Sequence, residues 1–198
     1  MKKLTTTTIA LVLLTLLSVL TFADEGSKNP TTFNSRLLIH GTKSITGPWS
    51  WAGWSVLPNY AADPSKVLVV TGPRYEGKNW WLETMAGFLI VDQEGKGLID
   101  IRASYDVLDP FHFWGEIICF PKKKDPWYTY GEVNYKLPVV GLLGLETENS
   151  HPDYSWGPHL VIPLGDHLTL VGVYQFHPRS GETDQVWFRT VINLSKIR

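Results

Sequence analysis

The chain has a single cysteine, Cys119, among 198 residues. No intrachain disulfide can form, so stability in an oxidising compartment has to come from backbone pairing and packing. With no second Cys and no catalytic setting around it, Cys119 reads as a small hydrophobe rather than a nucleophile. An excess of one charge is missing as well, since 18 Lys and Arg against 19 Asp and Glu give a formal net charge of −1. That excludes the basic footprint of a nucleic-acid binder. Beyond the first two dozen residues no long amphipathic helix pattern is present, and no apolar run reaches helical membrane-span length.

What the N-terminus does contain is an export pattern. Met1-Lys2-Lys3 supplies a positive start, residues 9–20 a short apolar core, and Thr21 and Ala23 small residues at the minus-three and minus-one positions of a cleavage site. Segment 1–23 is expected to be a secretory signal peptide that takes the chain through the secretory pathway. Cleavage after Ala23 would remove two lysines and no acid, moving the formal charge from −1 to −3. About 175 residues would remain, enough for one sizeable domain. Residues 24–35, DEGSKNPTTFNS, are polar and turn-rich, as expected of a flexible mature N-terminus, and 36–198 form the single folded domain.

Nine Trp, eight Tyr and eight Phe, arranged in short segments, make a β-rich composition. The clearest segment is 98–107, in which Asp100, Arg102, Ser104 and Asp106 alternate with Ile99, Ile101, Ala103, Tyr105 and Val107. Period-two alternation means a strand with one wet face and one apolar face. Candidate strands are read at 36–42, 49–57, 66–71, 80–91, 98–108, 111–120, 127–137, 139–147, 154–163, 168–176 and 185–194. Turn signals such as Gly47-Pro48, Pro58-Asn59, Asp109-Pro110 and the loop 92–97 separate them. The connections are short and no crossover is evident. The expected fold is therefore all-β, an antiparallel up-and-down meander of about 8–10 strands closed into a barrel, with a two-sheet β-sandwich as the alternative.

In a barrel, Ile99, Ile101, Ala103, Tyr105 and Val107 would face outward, with Val186, Phe188, Thr190, Ile192 and Leu194 of the last strand. The polar positions Asp100, Arg102, Asp106, Glu116, Glu132, Lys136 and Arg189 would then form a network in the lumen, joined by Ser104, Asn134, Trp187 and Asn193. So narrow a lumen favours ion pairing across strands, with a solute pathway as the sharper alternative. Trp49, Trp51, Trp80, Trp81, Trp127 and Trp156 lie near strand starts, where indoles suit either a membrane interface or a ligand platform.

Four histidines, His151, His159, His167 and His177, crowd the C-terminal third, but their spacings match no ligand pair, and they are expected to be incidental loop residues. No metal set, nucleophile elbow, CxxC, haem-attachment motif or phosphate loop is present, so no cofactor is expected. Asp109, His112 and Ser104 are near one another only in sequence, and the chain is expected not to be an enzyme.

Signal peptide, amphipathic strands, aromatic strand ends and short turns together resemble bacterial outer-membrane β-barrel proteins as a class, over roughly 49–194. The resemblance implies a small barrel in contact with outer-membrane lipid, structural or weakly solute-conducting. The alternative is a soluble β-sandwich in the periplasm or outside the cell that binds a glycan or other ligand through exposed aromatics, Trp49 and Trp51 first among them.

Overall fold

The structure is a computed structural model and describes residues 32–60, 63–138, 141–150, 153–177 and 183–195. The expected signal peptide lies outside the described residues. Eleven strands follow in order: β1 Thr32–Thr46, β2 Trp49–Leu57, β3 Val67–Glu76, β4 Trp80–Val91, β5 Glu94–Leu108, β6 Phe111–Cys119, β7 Trp127–Leu137, β8 Gly141–Ser150, β9 Asp153–Pro163, β10 Leu168–Gln175 and β11 Gln185–Asn193. Among the described residues there is no helix.

Each strand pairs with the next, and β1 pairs with β11, so the sheet is a closed barrel. The two-sheet sandwich does not occur. The strand count is eleven where about 8–10 were expected, and the closing seam is parallel, from Thr32 opposite Gln185 to His40 opposite Asn193. The two differences are one fact. Direction alternates along a meander, so the first and last members of an odd set run the same way, and only a parallel ladder can join them.

Two boundaries also differ from the sequence reading. β1 begins at Thr32, inside the segment expected to be flexible. The loop expected at 92–97 shrinks to two residues, because Asp92 and Gln93 both take positive φ, 50° and 69°, and Val91 already pairs with Glu94. Two consecutive left-handed residues give the turn whose twist matches a hairpin.

β1 starts at what is here called the first mouth, where β2–β3, β4–β5 and β6–β7 also turn; β11 ends at the second. Side chains alternate across the wall. In β5, Asp100, Arg102 and Ser104 are 0%, 2% and 5% exposed, whereas Ile99, Ile101 and Tyr105 are 50%, 42% and 47% exposed. The apolar face therefore points out, and the charged face points in. Part of the interior is nonetheless apolar: Ala52, Val56, Leu68, Val70, Met85, Leu98, Ile118 and Phe120 form one buried cluster, with Leu38, Trp54 and Leu89 packed on it.

Candidate functional site

The lumen is crossed by a belt of charged side chains that the alternation of β1, β3 to β9 and β11 turns inward. In β4, Glu83 is fully buried; it accepts hydrogen bonds from Trp54 Nε1 at 2.9 Å and Arg74 Nη1 at 2.9 Å, with His40 Nε2 3.5 Å away. His40 stacks on Trp54, their ring centroids 4.1 Å apart. Beside them Arg102 donates twice to Asp100, at 3.0 and 2.8 Å, pairs with Glu116 at 2.5 Å, and lies 4.5 Å from the Trp54 ring centroid.

Across the lumen, Arg189 donates to both oxygens of Glu146, at 2.7 and 2.5 Å, and to the Tyr130 hydroxyl at 2.9 Å. That hydroxyl lies 2.7 Å from Glu132 and 2.9 Å from Glu146. His159 sits 2.5 Å from Asn134 Oδ1 through Nε2, and its Nδ1 is 3.4 Å from Glu146. Arg36 donates to Glu148 at 3.1 Å, and Tyr128 donates to the same carboxylate at 3.0 Å. A buried charge is tolerable only when paired and hydrogen-bonded, and each carboxylate and guanidinium of this belt has an ion-pair partner, although His40 Nε2, Asp100 Oδ1, His159 Nδ1 and Arg189 Nε are buried without a hydrogen bond of their own.

The network expected from sequence is thus divided. Asp100, Arg102 and Glu116 form one cluster, and Arg189 and Glu132 meet through Tyr130. Asp106 and Lys136 stand apart at the second mouth, half-exposed and 2.9 Å from each other, with His112 3.1 Å from Asp106. His112 therefore turns to Asp106 and not to Asp109, and Ser104 is buried in the lumen.

Arg36, Arg74, Glu83, Glu146 and Glu148 were not singled out by the sequence reading. The signal was there in β8, where Glu146 and Glu148 alternate with Leu143, Leu145 and Thr147. The expectation of a loop histidine fails for His159, which is 2% exposed in the middle of β9. His167 is an exposed turn residue, as expected, and His151 lies outside the described residues.

Among the described residues Glu132, Glu146 and His159 bring donor atoms within 4.8 Å of one another. Arg189 already holds both oxygens of Glu146, so its positive charge opposes a cation there. The chemistry of the group is that of an ion-pair network.

Of the six tryptophans expected at an interface or platform, Trp49, Trp51, Trp80, Trp127 and Trp156 are exposed on the outer wall. Trp81 is not one of them. Next to Trp80 in a strand it must face the other way, and it lies inside, with the Arg74 guanidinium 4.3 Å from its ring centroid. Within the barrel a cavity of about 510 Å³ is lined by Arg36, Arg102, Glu116, Tyr130 and Arg189 of the belt and by an apolar wall toward the first mouth.

No family model and no curated protein matches the chain. Solved structures that resemble it include two engineered mutants of the Rhodopseudomonas blastica porin. One is 13% identical with a TM-score of 0.47 over 68% of this chain and 47% of that one; the other is 11% identical with a TM-score of 0.49 over 73% and 50%. The chain spans about half the length of the structures it matches. Likeness at that level concerns the barrel architecture alone.

Proposed function

We propose that this chain is a small, non-enzymatic β-barrel of an outer membrane, weakly conducting to small solutes. One observation carries the reading: the wall is inverted relative to a water-soluble barrel. Ile101, Ile117, Leu143, Leu145, Leu170 and Phe188 stand 40–53% exposed on the outside, while Glu83, Asp100, Arg102 and Arg189 are buried inside. Soluble proteins rarely expose so continuous an apolar surface, and a bilayer demands it.

Two further features support the same reading. β2, β3, β6, β7, β8, β9 and β11 have 9 to 11 residues, the length that crosses a hydrocarbon core when tilted, roughly 9–11 residues. Exposed aromatics cluster at both ends of the wall, with Trp49, Trp80, Tyr105, Phe111 and Tyr135 toward the second mouth and Phe33, Phe88, Trp127 and Trp156 toward the first. Rings with one apolar and one polar edge suit the two interfaces of a membrane. The closed ladder leaves no unpaired edge in lipid, which makes a spanning sheet feasible.

The ion-pair belt narrows the lumen, so a small conductance is expected. The deciding experiment is envelope fractionation followed by gel migration with and without boiling. Recovery in the outer membrane with heat-modifiable mobility is expected. Recovery in the soluble periplasm or medium would overturn the membrane reading and turn attention to glycan binding at Trp49 and Trp51.

A further inference from the structure

The lumen of a solute channel is expected to be polar, and half of this one is not. Leu38, Val56, Leu68, Leu89, Ile118 and Phe120, from β1, β2, β3, β4 and β6 and the residue after it, line the cavity toward the first mouth. Arg36, Tyr128 and Glu148 face them as part of the same lining. The belt needs no such wall: Val56, Leu68, Ile118 and Phe120 are packed down to 5–8% exposure, but Leu38 and Leu89 are only partly buried, and the apolar area they leave to water is what a ligand would cover. The cavity, about 510 Å³, falls within the range of ligand sites, roughly 300–1,000 Å³.

We propose that this chamber binds a single-chain anionic amphiphile of the fatty-acid type, its chain along the apolar wall and its carboxylate at the first mouth. The inference rests on the membrane-barrel reading and states what the lumen of that barrel takes. Charge at the mouth fits the head group. Lys66 and Lys123 line the cavity beside Asp125, within a connection that carries Lys122, Lys123 and Lys124 in succession. Lys66 pairs with Asp63 at 2.9 Å and both remain partly exposed, so the ammonium stays open to water.

The Lys123 ammonium lies 4.4 Å from the ring centroid of Phe120, which joins the rim cation directly to the apolar wall. Deeper in, Arg36 and Arg102 are bonded to Glu148 and Glu116. Those carboxylates repel an anion and keep the head group at the rim. Entry is by the mouth: every neighbouring pair of strands is laddered, the β1–β11 seam included, so the chain of a bilayer lipid has no open edge to pass. A free amphiphile from the aqueous side is the source the closed wall allows.

The test uses the full-length barrel in phosphatidylcholine nanodiscs, with fluorescent cis-parinarate as the probe, empty nanodiscs as the baseline, and oleate or acetate as competitors. Saturable binding above the baseline, displaced by oleate and not by acetate, is expected. Lys66→Glu with Lys123→Glu, both at the solvent-facing rim, should weaken it about tenfold, and Leu68→Glu in the wall should remove it. Heat-modifiable mobility of each variant reports that the barrel has formed. An intact barrel without saturable binding, with unchanged affinity in the double-lysine variant, or with acetate competing as well as oleate overturns the inference and leaves the membrane reading standing. A second arm replaces part of the phosphatidylcholine with phosphatidylglycerol; loss of parinarate binding there would show that membrane lipid supplies the chain and would overturn entry from the mouth. A chain that never enters membranes overturns the membrane reading first, and this inference with it.

Discussion

Arg189 of β11 and Glu146 of β8 meet in the lumen through two hydrogen bonds, 2.7 and 2.5 Å long, although two strands, β9 and β10, separate them around the wall. Both are buried, and Glu146 also accepts from Gln175 at 2.9 Å. The pair therefore braces the barrel from within. Removing one partner leaves the other charge buried and uncompensated, which is far more costly than the pair is worth.

Arg189→Ala is accordingly expected to cost about 3–5 kcal/mol of folded-state stability, while Arg189→Met combined with Glu146→Leu should recover much of that loss. Urea unfolding in lipid vesicles, followed by loss of heat-modifiable mobility, measures both. Equal loss in the single and double variants would mean that the belt contributes specific hydrogen bonds from Tyr130 and His159 that an apolar pair cannot replace.

Ile101 and Ser104 lie on opposite faces of β5, the first 42% exposed outside and the second 5% exposed inside. Ile101→Arg places a guanidinium in lipid and should cost about 2–4 kcal/mol if the residue lies near the midplane. Ser104→Ala should assemble normally. Yield of heat-modifiable barrel in the membrane fraction reads both variants, and equal yields would argue against a lipid-facing wall.

The contrast shows what was legible in advance. β5 alternates without interruption, so the sequence alone assigns Ile101 outward and Arg102 inward. β1 offers no such pattern: Leu37, Leu38 and Ile39 are all apolar, because Leu38 packs on the interior cluster while its neighbours take the other face. The partners of the charges were not legible either. Arg189 and Glu146 are 43 residues apart, and only the curvature of a closed eleven-stranded sheet brings them together. Asp106 and Lys136 obey the same parity as the belt yet sit beyond it, since alternation fixes the face of a side chain and not its depth. The apolar half of the lumen escaped for a related reason: a strand apolar on both faces, such as β3 over Leu68, Val69 and Val70, gives no sign of which face lines a cavity.

Gly157 occupies a place in β9 where the next strand comes close. A Cβ there would collide with the carbonyl oxygen of Tyr174, whereas a Cβ on Gly97 would meet nothing within 4 Å. Backbone that crowds a glycine this way cannot accept alanine without shifting β10. Gly157→Ala should destabilise the barrel by about 1–3 kcal/mol, and Gly97→Ala should leave the urea midpoint unchanged. A neutral Gly157→Ala would show that the β9–β10 seam, laddered only from Val173 to Thr169 and by the single bridge at Trp156, is free to move apart.

Trp80 and Trp81 are sequence neighbours on opposite sides of the wall. Trp80 is 42% exposed outside, stacked on Tyr75 with centroids 5.3 Å apart, and Trp81 is inside beneath Arg74. In vesicles of brominated phosphatidylcholine, bromine quenches indoles that touch acyl chains, so Trp80 belongs to the quenched population and Trp81 does not. Trp80→Phe should lower the quenchable fraction of the total tryptophan emission, while Trp81→Phe should raise it by removing an unquenched emitter. A soluble barrel would show no quenching in any variant, and an inverted wall would exchange the two results. Because each substitution removes one indole from the same strand end, the comparison separates the two faces of the barrel at a single depth.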